Sequence, residues 1–207
     1  MGKSFLEKTK SNLVEKLTGL KKIKTAIFIS GVGSNLKNLI KFSKIKKTPF
    51  TIDLIISNTN KAKGLKYAEQ FKIKKKIFNF RNAKIAEKNI LTLIKKNQIR
   101  FICLAGFMKI LSKDFIKNFS GKIINIHPSL LPKYKGLNTH EKAIKNRDKF
   151  TGCTVHYVSA KLDSGKIILQ KKVPITIKDN ATSLAKKVLK AEHKLYPAAI
   201  IKILISL

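Results

Sequence analysis

The chain has 207 residues, enough for one domain with a sizeable core and too few for two large ones. No apolar run reaches the roughly 18–20 residues of a membrane helix. The lysine-rich start lacks the apolar centre of a secretory signal, so a soluble, cytoplasmic protein with no membrane partner is expected. The formal net charge of +34 raises nucleic acid as a partner. Lysines, however, run the whole length, and only Arg81, Arg100 and Arg147 supply the guanidinium groups best suited to planar phosphate and base contacts. The abundance of Lys, Ile and Asn reads as drift toward AT-rich codons. Nonspecific polyanion binding at low salt follows from the charge, and a specific nucleic-acid partner does not.

In chain order, residues 1–22 form a lysine-rich extension with Phe5, Leu6, Leu13, Val14, Leu17 and Leu20 at near-helical spacing, an added helix or arm. Residues 23–207 are expected to form a single catalytic domain. Strands are predicted over Thr25–Ser30, Phe50–Ser57, Lys76–Phe80, Phe101–Ala105 and Lys122–Ile126. Helices are predicted over Ser34–Lys46, Ala62–Phe71, Ile85–Lys96 and Lys113–Phe119. This alternation indicates an open, mostly parallel sheet with helices on both faces, a Rossmann-like α/β fold. After a short helix at Thr139–Asn146, strands over Gly152–Val158 and Lys166–Val173 flank the turn Leu162-Asp163-Ser164-Gly165, so an antiparallel pair closes the sheet. A long helix over Asp179–Leu204 ends the fold, capped by Asp179 or Asn180, with Pro197 as a candidate kink. Cys103 and Cys153 sit in apolar runs and read as buried, reduced thiols. No Cys or His spacing suggests a metal.

Four segments carry chemistry. Ser30-Gly31-Val32-Gly33-Ser34-Asn35 joins the first strand to the first helix. Its glycines and the helix amino end suit a phosphate, or the segment is a tight turn capped by Ser34. Asn125 and His127 lie two residues apart on one side of a strand exit. An amide there can hold an oxyanion and an imidazole can carry protons, although a lone histidine is as often structural. Asp163 belongs to a turn and, if close to His127, would raise the imidazole pKa. Leu104-Ala105-Gly106-Phe107-Met108-Lys109-Ile110-Leu111 either walls a pocket for a flat ring or packs the core.

Together these segments resemble the folate-dependent glycinamide ribonucleotide formyltransferases. The resemblance spans roughly residues 24–205. It rests on Ile29-Ser30-Gly31 with Gly33-Ser34-Asn35-Leu36, on Leu104 to Met108, and on Asn125-Ile126-His127-Pro128-Ser129-Leu130-Leu131-Pro132. It rests also on Gly152-Cys153-Thr154-Val155-His156, Leu162-Asp163-x-Gly165, Glu192-His193 and Tyr196-Pro197. It implies that Gly33, Ser34 and Asn35 hold the ribonucleotide phosphate and that Glu192 contacts the ribose. It implies that Met108, Lys109, Ile110 and Leu111, with Asn125 and the loop at 159–163, line the folate site. Asn125, His127 and Asp163 would be the catalytic trio. The implied substrates are 5-phosphoribosylglycinamide and 10-formyltetrahydrofolate as co-substrate, without a metal, in a monomer or homodimer. Departures from the family pattern are Val32 where Asn is frequent, Asn138 where His is common, Lys109 where Arg is usual, and Ala83 at a position usually basic. Two other classes compete: a polyanion-binding protein on an enzyme scaffold, and a hydrolase that releases formate from the same folate.

Overall fold

The computed structural model describes residues 22–45 and 48–206. Apart from Lys22, the lysine-rich extension lies outside the described residues. Seven strands form one sheet in the order β3-β2-β1-β4-β5-β6-β7. They are β1 (Ile23–Ile29), β2 (Phe50–Ser57), β3 (Lys74–Ile77), β4 (Phe101–Leu104), β5 (Lys122–His127), β6 (Phe150–Tyr157) and β7 (Ile167–Pro174). The first five run parallel. β6 and β7 are antiparallel, to β5 and to each other. The described helices are α1 (Ser34–Ser43), α2 (Leu65–Gln70), α3 (Ala83–Lys96), α4 (Lys113–Asn118), α5 (Thr139–Lys145) and α6 (Ala181–Ile205).

The period-2 geometry of the strands divides the core in two. Ile27, Ile29, Cys103, Ile124 and Ile126 face one side, where α1, α2 and α6 supply Leu36, Leu39, Ile40, Leu65, Leu184, Val188, Tyr196 and Ile200. Ala26, Phe28, Ile102, Leu104 and Ile123 face the other, where α3 and α4 supply Ile90, Ile94 and Phe115. The central strands are apolar on both faces because helices cover both. α6 is fixed at its start by a capping box in which the Asn180 side chain accepts from Ser183 N and Ser183 Oγ accepts from Asn180 N. Its middle is anchored by the fully buried Tyr196, whose hydroxyl donates to the Leu104 carbonyl at 2.9 Å. Pro197 sits inside α6 without ending it.

Several expected boundaries move, three of them with a visible cause. β3 covers Lys74–Ile77 rather than Lys76–Phe80, because Lys74 to Ile77 pair with Leu54 to Ser57 along the sheet edge. Phe78 and Phe80 leave the strand and pack on the α3 side instead. α2 begins at Leu65, after a turn closed by Leu65 N donating to Ala62 O at 3.0 Å, while Gly64 N donates across to Gly31 O at 2.9 Å. α1 ends at Ser43, and its N-cap is Gly33 in the left-handed region, with no side-chain cap, so Ser34 does not cap it.

Candidate active site

Ligands of open α/β sheets bind beyond the carboxyl ends of the strands, where the strand order reverses. Here that point is between β1 and β4. The expected site residues converge around it and its neighbour β5. Asn125 and His127 end β5, and the antiparallel register sets His156 of β6 directly opposite Asn125. The loop between β6 and β7 returns Asp163 to the same place. Its carboxylate lies 3.3 Å from His127 Nδ1 and 3.6 Å from His156 Nε2. Asp163 adopts a left-handed backbone conformation, φ 44°. It is held there by Gly136 N, which donates to its Oδ2 at 2.9 Å. Thus the β5 exit loop and the β6–β7 loop are joined through one carboxylate.

His156 Nδ1 donates to the Tyr157 carbonyl at 2.9 Å, and its Nε2 lies 3.2 Å from the Asn125 side-chain nitrogen and 3.6 Å from the Asp163 carboxylate. His127 Nε2 donates to the Tyr134 carbonyl at 2.8 Å, while its Nδ1 faces Asp163. Both His127 nitrogens thus face acceptors, an arrangement that the imidazolium satisfies fully.

Burial opposes this and prevails, drawing the His127 pKa below the usual histidine value, while the Tyr134 carbonyl and Asp163 push it upward. Asp163 acts in the expected direction, but desolvation of a ring only 5% exposed outweighs it. For Asp163 itself, burial favours the neutral acid. The bond to His156, the Gly136 N–H and the charge on His127 outweigh burial and hold its carboxyl below the ordinary range.

A cavity of about 80 Å³ opens beside this cluster. Leu104, Phe107, Lys109, Ile110, Leu111 and Val158 form its walls with Asn125, His156 and Asp163. His127 is not on the wall; it contacts Asp163 from the protein side. Met108 also falls outside the lining. Its side chain is exposed, and its backbone N–H donates to Ser30 Oγ at 2.8 Å. A larger groove, about 1420 Å³, runs between α3 and α4 past Lys24 and Arg100. It lies at the amino ends of β1 and β4 and holds none of Asn125, His127, His156 and Asp163.

The glycine loop after β1 forms the second part of the site. Gly33 has φ 77°, and a Cβ there would stand 2.7 Å from Gly64 Cα, so the turn excludes any larger residue. Asn35 is buried, and its Nδ2 donates to Glu192 Oε2 at 2.7 Å. Its Oδ1 has no protein partner. Burial raises the Glu192 pKa, and the Asn35 amide pulls the other way. Gly33 and Asn35 are thus brought together with Glu192, across α1 and α6. His156 was missed as a site residue in the sequence, although a histidine within the apolar run of β6 was the available signal. The Tyr134 carbonyl left no signal, being a backbone group.

The open α/β sheet thus brings a histidine–carboxylate cluster and a glycine loop together at the carboxyl ends of its strands. The formyl transferase family model matches residues 23–200, and the chain belongs to that family. It is 41% identical over 180 residues to a phosphoribosylglycinamide formyltransferase of Haemophilus influenzae, covering 86% of this chain and 85% of that one. It is 42% identical over 183 residues to the human trifunctional purine biosynthetic protein adenosine-3, covering 87% of this chain but only 18% of the human protein's length. Among solved structures, the phosphoribosylglycinamide formyltransferase of Brucella melitensis superposes with a TM-score of 0.85 at 42% identity, over 89% of this chain and 96% of that one. Among the described residues, no helix is long and apolar enough to cross a membrane.

Proposed function

We propose that this chain transfers the formyl group of 10-formyltetrahydrofolate to the amine of 5-phosphoribosylglycinamide, yielding formylglycinamide ribonucleotide and tetrahydrofolate in de novo purine (IMP) synthesis. The observation that carries this reading is the cleft lined by Asn125, His156 and Asp163, with His127 behind Asp163. The similarity to named phosphoribosylglycinamide formyltransferases supports the choice of substrates.

In this reading the amine attacks the formyl carbon, and the carbonyl oxygen becomes an oxyanion. The Asn125 amide turns from His156 to that oxygen and donates to it. His127 takes part in moving the proton from the attacking nitrogen to the leaving folate nitrogen, through Asp163 or a bound water. Asp163 supports the charged form of His127 while burial opposes it, which keeps the ring able to both accept and release a proton. Holding both substrates in the crevice supplies the proximity contribution. Gly33, Ser34 and Asn35 bind the phosphate, and Glu192, bonded to Asn35, contacts the ribose. Lys109, Ile110 and Leu111 wall the folate ring, and Met108 holds that wall through its backbone. No step requires a metal.

The test is the absorbance change for conversion of 10-formyltetrahydrofolate to tetrahydrofolate, with and without phosphoribosylglycinamide. Turnover that depends on the ribonucleotide is expected. Turnover without it would place the chain among formate-releasing hydrolases, and no turnover would refute the reading.

A further inference from the structure

The two halves of the site are joined at Ser30, through its backbone N–H and its hydroxyl. Ser30 directly follows β1 and opens into the glycine loop. Its N–H donates to the Gly106 carbonyl at 3.0 Å. Its Oγ accepts from Met108 N at 2.8 Å and donates to Asn58 Oδ1, just past β2. The same glycine loop is fixed from the other side by Gly64 N on Gly31 O at 2.9 Å. Ser30 therefore spans the crevice between β1 and β4. On one side lies the loop proposed for phosphate. On the other lies Gly106 to Leu111, whose last three residues wall the cleft.

We infer that Ser30 is a positioning residue that couples the ribonucleotide site to the folate site, so that each substrate tightens the binding of the other. The physical reason is the shortness of the path. A phosphate that fixes Gly31 to Ser34 also fixes the serine at its root, and through it the backbone of Gly106 and Met108. The second ligand then meets a wall already in place. Such coupling is reciprocal by thermodynamic necessity, and values of roughly fivefold or more are usual where a rigid network joins two sites. A neutral side chain of no catalytic chemistry is sufficient, because only the relative position of two loops is transmitted. The inference rests on the formyl transfer proposed above.

The experiment uses a pair that cannot react, phosphoribosylglycinamide with tetrahydrofolate. The Kd of each is measured by anaerobic calorimetry, alone and with the other saturating. The wild-type protein is expected to show mutual tightening of about fivefold or more. Ser30→Ala is expected to bring the factor to near one, with each single-ligand Kd within about twofold of wild type. Ser30→Thr keeps the hydroxyl and is expected to retain the coupling. If the Ala variant does not fold, Ser30→Cys, a weak acceptor of similar size, replaces it with the same expectation. Binding of both ligands without coupling in wild type, or full coupling in the Ala or Cys variant, overturns the role of Ser30 alone. Failure of the wild-type protein to bind either ligand overturns the formyl transfer reading itself.

Discussion

Asp163→Asn removes the charge that stands between two histidines while leaving the backbone undisturbed. The position has φ 44°, a conformation that asparagine tolerates better than most residues. The new amide oxygen can still accept from Gly136 N. What is lost is a charged acceptor 3.3 Å from His127 Nδ1, with both side chains under 10% exposed. A charged partner in such surroundings is worth about 1.5–3 kcal/mol to the protonated ring. If that support is used in the transition state, kcat/KM falls roughly 10- to 160-fold. The His127 ring, already below its usual pKa through burial, should titrate lower still, because Asp163 was one of the groups raising it. Steady-state rates and ring-proton NMR titration of the two proteins measure both effects. A variant within about threefold of wild type, or a His127 titration that does not move down, would refute the coupling of these two residues.

Gly33→Ala should raise the KM for the ribonucleotide far more than that for the folate, since the added carbon meets Gly64 Cα in a backbone conformation alanine avoids; initial-rate kinetics with each substrate varied measures the two constants. Glu192→Gln keeps an acceptor for Asn35 but no longer buries a charge. The wild-type carboxyl has a raised pKa, so the folded state binds the proton more tightly and wild type loses stability as pH rises from the ordinary Glu value to the raised one. Urea unfolding should show the Gln variant gaining on wild type across that window. His127, His140 and His193 are all lowered by burial. The unfolded chain then binds more protons, and stability should fall as pH drops below about 6.5, visible as a falling Tm. Burial pushes the Cys153 thiol up to about 12 and Cys103 higher still. Neither should react with a disulfide reagent in the native protein, and both should react in denaturant.

How much of this was legible in the sequence depends on the length scale of the cause. Phe50–Ser57 was legible to the residue, because its apolar run ends at a polar turn. The edge strand β3 was not, since its pairing with β2 is long-range and its own residues are lysines that only the sheet edge tolerates. At the site, the spacing of Asn125 and His127 placed them on one strand face, a local consequence of extended backbone. The proximity of Asp163 to both histidines was not deducible from spacing. It depends on the register of β6 against β5 and on a left-handed turn 36 residues beyond His127. The net direction of the His127 pKa was out of reach for a related reason: a neighbouring carboxylate can be guessed from a motif, whereas desolvation is a property of the assembled fold. Ser30 shows the same limit most clearly. Nothing in its identity separates it from any strand-ending serine, and its meaning comes entirely from Gly106 and Met108, more than 70 residues away along the chain and adjacent only because β4 pairs with β1. The residues of this site announce their chemistry locally, and the topology decides which of them act on one another.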